Sequence, residues 1–287
     1  MTEKTVMVTG AAGFIARHLI DEILATTDWD IVAVARWFDV DYGPRVTRIL
    51  TDLADHESAD ELPPVEAVFS LAADVDVARS LDFPIVTIEN NVGIANTLVN
   101  YACRLTVPPT IVHVTTAEVF GPGGPHGTHE PPRPTNPYAA SKAAQDAIFH
   151  AGASCYGIPL VVARTANVFG EYQSPDKFVP TVIRKLRAGE PIDMFGDAWR
   201  RWIYAGDVAG NLVQMTRSAG FTANITGARL ISNADLVHKI AGKLNVTPVM
   251  NFTDTQRPGH ESVYDIPPRG FFVLDDLNAG LNRMVNA

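Results

Sequence analysis

Residues 5–16, TVMVTGAAGFIA, decide how the rest of the chain is read. The first five are β-branched or apolar and form a strand pattern. From Phe14 the run FIARHLIDEILA (14–25) turns helical, with Ile15, Leu19 and Ile23 along one face. Gly10 and Gly13 lie between the two patterns. Gly10 permits a tight turn, and Gly13 lets backbone come close to a diphosphate at the helix N-terminus, where free N–H groups and the helix dipole favour anions. The spacing is G-x-x-G-x-x-A instead of G-x-G-x-x-G. Its weight comes from its place after a strand and before a helix, at the head of a βαβ unit.

The alternation continues outward from this turn. DIVAVA (30–35), AVFSLA (67–72), TIVHVTT (110–116) and LVVARTA (160–166) are continuous apolar runs. Helical stretches surround IENNVGIANTLVNYACR (88–104) and begin again near Tyr138. Unbroken apolar strands separated by helices indicate a parallel sheet covered on both faces. The expected fold class is therefore α/β, a doubly wound Rossmann sheet with ligands at the carboxyl ends of its strands.

The chain has 287 residues, 46% hydrophobic and 19% charged, enough for one large α/β domain with a smaller lobe. A net charge of −9 argues against a general nucleic-acid or acidic-membrane binder. It leaves room for an anionic small molecule held by a few arginines. Cys103 and Cys155 have no metal-type spacing and read as buried, reduced thiols of a cytoplasmic protein. No signal-peptide pattern opens the sequence, and no apolar run is long enough to span a bilayer, so a soluble protein is expected.

GPGGPHGTHEPPRPTNP (121–137) is too rich in Gly and Pro for regular structure and reads as a long loop. His126 and His129 lie in it without the helix that a zinc-binding H-E-x-x-H needs, so no metal site is expected. Beyond Gly170 the rhythm loosens into FVPTVIRKLRAG (178–189), a loop region, and SNADLVHKIAGKL (232–244), which Ser232 and Asp235 are placed to cap. The expected division is a dinucleotide-binding domain over 1–170, with later segments crossing back, and a smaller substrate lobe over 171–287.

Two further features carry chemistry. Strand two ends in Ala35 and Arg36, where an acidic residue would bind the ribose 2′-hydroxyl of NAD. Arg36 could accept a 2′-phosphate, so NAD and NADP both remain open; a solvated arginine is the plain alternative. In NPYAASKAA (136–144), Tyr138 and Lys142 stand at i, i+4 on one helix face. A neighbouring ammonium and a cationic nicotinamide would favour the phenolate, so that Tyr138 could take a hydroxyl proton as hydride leaves.

TGAAGFIA, LAADVDVARS (71–80), HVTTAEVFG (113–121), YAASK, RTANVFGEYQSPDKFVP (164–180), RRWIYAGD (200–207) and QRPGH (256–260) occur in the order found in the extended short-chain dehydrogenase/reductases that act on nucleotide sugars. Over nearly the whole chain the sequence resembles that family, nearest its dTDP-glucose 4,6-dehydratase branch. The resemblance implies Tyr138 as base for the sugar 4-hydroxyl, Thr116 on the same oxygen, and Lys142 on the cofactor ribose. It places Gly10, Gly13, Phe14, Ile15, Asp52, Leu53, Leu71, Ala72 and Ala73 at the cofactor, Asp52 and Leu53 following a third strand. It assigns Arg79, Asn167, Lys177, Arg200, Arg257 and His260 to the nucleoside-diphosphate sugar, where guanidinium groups would bind diphosphate oxygens.

The same resemblance implies that Glu118 removes the proton on carbon 5 after carbon 4 is oxidised. In the dTDP-glucose branch an Asp precedes this Glu and protonates the departing 6-hydroxyl; here the residue is Ala117. Other branches dehydrate with a Thr-x-Glu arrangement, and decarboxylases carry a Thr-Ser-Glu triplet. The expected activity is thus an NDP-hexose 4,6-dehydratase, with epimerase, decarboxylase and 4-ketoreductase as alternatives and a non-catalytic dinucleotide sensor as the outlying one. Phe169 and Glu171 replace a common Tyr and Pro, and the sequence stops one helical segment short of the usual extent, implying a trimmed lobe. Homodimerisation through the helices of NNVGIANTLV and YAASKAAQDAIF is the family expectation.

Overall fold

The computed structural model describes residues 4–165, 167–253, 262–266 and 277–286. Arg257 and His260, assigned to substrate above, lie outside them. The first part runs β1 (Thr5–Thr9), α1 (Phe14–Thr26), β2 (Asp30–Ala35), β3 (Val46–Leu50), β4 (Ala67–Ser70), α2 (Val77–Asp82), α3 (Pro84–Arg104), β5 (Thr110–Thr116), β6 (Gly123–His126), α4 (Pro137–Tyr156) and β7 (Leu160–Thr165). The second runs β8 (Val168–Phe169), α5 (Phe178–Ala188), β9 (Ile192–Phe195), β10 (Trp199–Arg201), β11 (Ile203–Tyr204), α6 (Ala205–Met215), β12 (Phe221–Ile225), β13 (Leu230–Ser232), α7 (Asn233–Leu244), β14 (Met250–Thr253), β15 (Val263–Asp265) and α8 (Leu277–Asn286).

Seven parallel strands form the main sheet in the order β12-β7-β5-β4-β1-β2-β3. The chain winds from β1 outward to β2 and β3, then returns to the other side of β1 for β4, β5 and β7. That reversal at β1 and β4 opens a crevice above their carboxyl ends, the position at which doubly wound sheets bind ligands. Apart from the edge strand β3, the sheet is buried on both faces, which is why its strands are apolar without alternation. One layer gathers Val8, Leu19, Ile20, Phe69 and Leu212 beneath α1 and α6, and the other Met7, Val68, Leu98, Ile111 and Phe149 beneath α3 and α4. Each such side chain contributes about 1.5–3 kcal/mol by leaving water. A third cluster, with Phe169, Val182, Ile192, Trp202, Leu236 and Leu281, gathers side chains from the later part of the chain.

The structure changes four sequence expectations. Ile15 is only partly buried and lines the crevice, while Ala16, Leu19, Ile20 and Ile23 make the buried face of α1. The Gly/Pro stretch is not wholly irregular, because Gly123–His126 pairs in parallel with β15. The region between α5 and α7 holds α6, which packs on α1, in place of a simple loop. Cys103 and Cys155 are exposed thiols, not buried ones. Ser232 does cap α7, its hydroxyl accepting from Asp235 N–H at 3.0 Å. Among the described residues, no helix is long and apolar enough to cross a membrane.

Candidate active site

At the end of β1, Gly10 has φ +65°, and a Cβ there would stand 2.9 Å from Ala72 Cα. Only glycine allows both the left-handed turn and this approach to the loop after β4. Thr9 holds the same junction: its hydroxyl accepts the N–H groups of Leu71 and Ala72, each at 3.1 Å. Gly13 precedes α1 and donates to Gly10 O at 2.7 Å; a Cβ on it would fall 2.9 Å from that oxygen. No side chain caps α1, and its first turn carries no acid. The leading amides are therefore left for an anion.

From this turn a cleft of about 320 Å³ extends past Phe14 and Ile15 to Arg36, Asp52 and Leu53 on one side, and past Leu71, Ala72 and Ala73 to Tyr138 and Lys142 on the other. Every residue that the sequence reading assigned to the cofactor thus lines one continuous cleft. Its glycine cradle and uncapped helix fit a dinucleotide.

Asn136 caps α4 by accepting from Ala139 N–H at 2.7 Å, and Pro137 opens the helix. One turn on, Tyr138 and Lys142 are both buried. Burial raises the Tyr138 phenol well above its ordinary pKa, and the Glu118 carboxylate raises it further; the Thr116 hydroxyl works the other way. In the protein alone these effects dominate, so the lowering expected from Lys142 does not prevail. Burial brings the Lys142 ammonium down to about 8, opposed by the charge of Asp146. Its Nζ donates to Val114 O at 2.9 Å and to Gln145 Oε1 at 2.5 Å.

Glu118 lies on a one-turn 3₁₀ helix, Ala117–Phe120, directly after β5. Thr116 starts that turn, its hydroxyl accepting from Glu118 N–H at 3.2 Å. Asn136 also donates its Nδ2 to Glu118 Oε2 at 3.3 Å. One side chain therefore fixes the carboxylate against the helix that bears Tyr138. Ala117 is buried and packs on Val263 of β15, an apolar contact where a proton donor would otherwise stand.

A second depression of about 510 Å³ shares Arg36 and Ala73 with the main cleft and adds Arg79 and Lys177. The two added cations face acids. Arg79 pairs with Asp74, and Lys177 lies 3.9 Å from Asp76 and 3.4 Å from Asp176. Asn167 follows β7 with φ +50° and accepts Ile203 N–H at 3.3 Å. Arg200 lies on β10 and lines neither depression. Arg79 and Lys177 are thus brought together in one depression.

Sequence reasoning missed the scaffold behind the pair on α4. Gln145, fully buried, bridges Lys142 to Asn91 O through its Nε2 at 2.7 Å. The Asn91 side chain holds the Asp74 backbone and Ser141 Oγ, and Ser141 donates back to Tyr138 O at 2.7 Å. Deeper still, Asp146 takes His113 Nε2 at 3.1 Å and Arg164 Nη2 at 3.3 Å. Burial and the Lys142 charge bring His113 down to about 4 despite Asp146. The spacing Tyr138, Lys142, Asp146 along one face of α4 was the available signal.

The cleft and the tyrosine–lysine helix define a dinucleotide-dependent enzyme, and comparison with known proteins gives its family. Residues 6–225 match the NAD dependent epimerase/dehydratase family, to which the chain belongs. A dTDP-glucose 4,6-dehydratase of Neisseria meningitidis serogroup B is 28% identical over 98% of this chain and 92% of its own. Another, from Streptomyces antibioticus, is 30% identical over 90% of this chain and 82% of its own. Among solved structures, the Streptomyces venezuelae dTDP-glucose 4,6-dehydratase with NAD bound superposes with a TM-score of 0.87 at 28% identity, covering 98% of this chain and 96% of its own. The UDP-N-acetylglucosamine 4-epimerase of Methanobrevibacter ruminantium shares the fold, with a TM-score of 0.90 at 24% identity over 100% of this chain and 98% of its own. The cofactor of the family is NAD.

Proposed function

We propose that this enzyme acts on nucleoside-diphosphate sugars as an NDP-hexose 4,6-dehydratase. The observation that carries the reading is the joining of Glu118 to the Tyr138 helix through Asn136, with the Thr116 hydroxyl meeting both the Glu118 N–H and the Tyr138 phenol. A simple alcohol oxidation needs one base; a second base beside it suits chemistry at the neighbouring carbon. NAD supplies a hydride acceptor when bound. Tyr138 takes the 4-hydroxyl proton as carbon 4 is oxidised, helped by the charge of Lys142. The new carbonyl acidifies the proton on carbon 5, which Glu118 removes. With Ala117 unable to donate, Glu118 returns that proton to the departing 6-hydroxyl, and one water leaves. As hydride returns to carbon 6 from NAD held in the cleft, Glu118 delivers a proton from solvent to carbon 5 and Tyr138 releases the one it took, so no oxidant is consumed. Arg79 and Lys177 hold the diphosphate, exchanging their acidic neighbours for it.

Ala117 also favours a second reading, a 4-epimerase, since epimerisation at carbon 4 needs no acid for a leaving hydroxyl. Mass spectrometry of dTDP-glucose, UDP-glucose and UDP-N-acetylglucosamine incubated with the purified enzyme and NAD, and separately NADP, separates the two. Loss of one water without net cofactor reduction supports the dehydratase. Unchanged mass with an altered sugar by NMR assigns the epimerase, carbon dioxide release a decarboxylase, and net cofactor oxidation a ketoreductase. Inactivity on every sugar with dinucleotide still bound would favour a sensor. Glu118→Gln should lower dehydration by about 100-fold or more; a fully active variant would sink the dehydratase reading.

Two features support pairing into a homodimer through α3 and α4. The helices pack together, and their exposed positions include Ile88, Ala147 and Ala151. Unpaired thiols at Cys103 and Cys155 fit a reducing, cytoplasmic setting.

A further inference from the structure

The adenosine end of the cofactor cleft differs chemically from an ordinary NAD site. There the residue ending the second strand is a carboxylate that accepts from the ribose 2′-hydroxyl and repels a phosphate in its place. Here β2 ends at Ala35, whose methyl can do neither, and Arg36 follows in the cleft lining.

Among the described residues, no other acid makes good the loss. Asp30 begins the same strand, at its far end. Asp39 is paired with Arg17 of α1 and does not line the cleft. Asp52 is the one carboxylate among the described lining residues, and it belongs to the turn after β3, its Oδ1 accepting from Ala54 N–H at 3.0 Å. Its Oδ2 lies 3.9 Å from Arg36 Nη1, and the Arg36 side chain is 63% exposed. A pair so long and so exposed contributes less than about 1 kcal/mol and is easily exchanged. A phosphate monoester offers a guanidinium two charge-assisted bonds in place of that one weak contact.

We propose that Arg36, together with the missing carboxylate at Ala35, makes this end of the cleft a 2′-phosphate site, so that the chain binds NADP more tightly than NAD. The proposal concerns the adenosine ribose alone. It rests on the family's dinucleotide cleft and is independent of the dehydratase reading.

Binding, not turnover, tests it. The full-length chain is titrated with NAD and with NADP by calorimetry, without sugar, and checked by tryptophan emission, since Trp37 lines the cleft beside Arg36. The wild type should favour NADP by about tenfold or more, with the preference shrinking as salt is raised. Arg36→Met should bring the two affinities within about threefold of each other, and Ala35→Asp should turn the ratio toward NAD by about tenfold. Ala35 is buried, so if Ala35→Asp fails to fold, Arg36→Met decides. Equal affinities or tighter NAD in the wild type overturns the proposal. So does an unchanged ratio in Arg36→Met. Failure to bind either dinucleotide overturns it together with the cofactor cleft itself, whereas an absence of dehydration leaves these binding results standing.

Discussion

The cofactor cleft and the depression beside it, at the two ends of the site, are built from different material. At the glycine turn the groups on offer are main chain: a left-handed Gly10, the leading amides of α1, and a loop fixed by Thr9. In the adjoining depression they are long charged side chains, Arg79 and Lys177, already facing acids. Backbone groups lose little freedom on binding because the fold has already ordered them. Side chains such as Lys177 must leave one partner for another, which makes them exchangeable and individually weak. A fold shared by dehydratases and epimerases can thus keep one end fixed while the other varies.

Substitutions at the two ends should differ accordingly. The largest effect is expected from Gly10→Val, which places a branched side chain at φ +65° and against the Ala72 backbone. It should cost about 3 kcal/mol or more in stability and abolish measurable dinucleotide binding, as read by thermal melting and titration. A melt unchanged within a degree would show that the turn is less rigid than its contacts imply.

Next comes the buried layer behind the tyrosine–lysine helix. His113 is held down to about 4 against 6.5 in the unfolded chain. Between these values the unfolded state binds the extra proton, so stability is complete above about pH 6.5 and declines as pH falls toward 4. The loss should reach about 3 kcal/mol, and His113→Gln should flatten that part of the pH–stability curve. A parallel decline in both proteins would assign it to other groups.

The smallest stability change belongs to Lys177→Ala. Its ion pairs are exposed and long, so the melt should move by less than about 0.5 kcal/mol. If Lys177 holds the sugar diphosphate, KM rises several-fold while dinucleotide affinity stays put. An unaltered KM would remove Lys177 from the substrate site.

What the sequence made legible follows the same division. The strand–glycine–helix junction and the Tyr138–Lys142 spacing demand particular residues at particular offsets, and both were readable. The contacts of Gln145 and Asn91 were not, because they join helices α3 and α4, whose relative placement is set only by packing. Strand β6 was hidden because its partner β15 lies far along the chain, and a Gly-Gly-Pro segment has no strand pattern of its own. Helix α6 was missed because Gly206 and Gly210 weaken its local signal, and packing on α1 overrides them. The substrate residues were named by resemblance alone. The structure brings Arg79 and Lys177 to one depression.

The late arrival of β12 has a consequence for synthesis. Strand β7 ends at Thr165, but the neighbour that covers its outer edge is completed only at Ile225. At roughly 5–20 residues per second, a ribosome leaves that edge open for several seconds. During that interval LVVART, buried along its whole length in the finished protein, is an unpaired apolar strand on a nascent chain. The stretch of translation between these two strands is when the growing chain is most exposed to mispairing and when a chaperone would have most to protect.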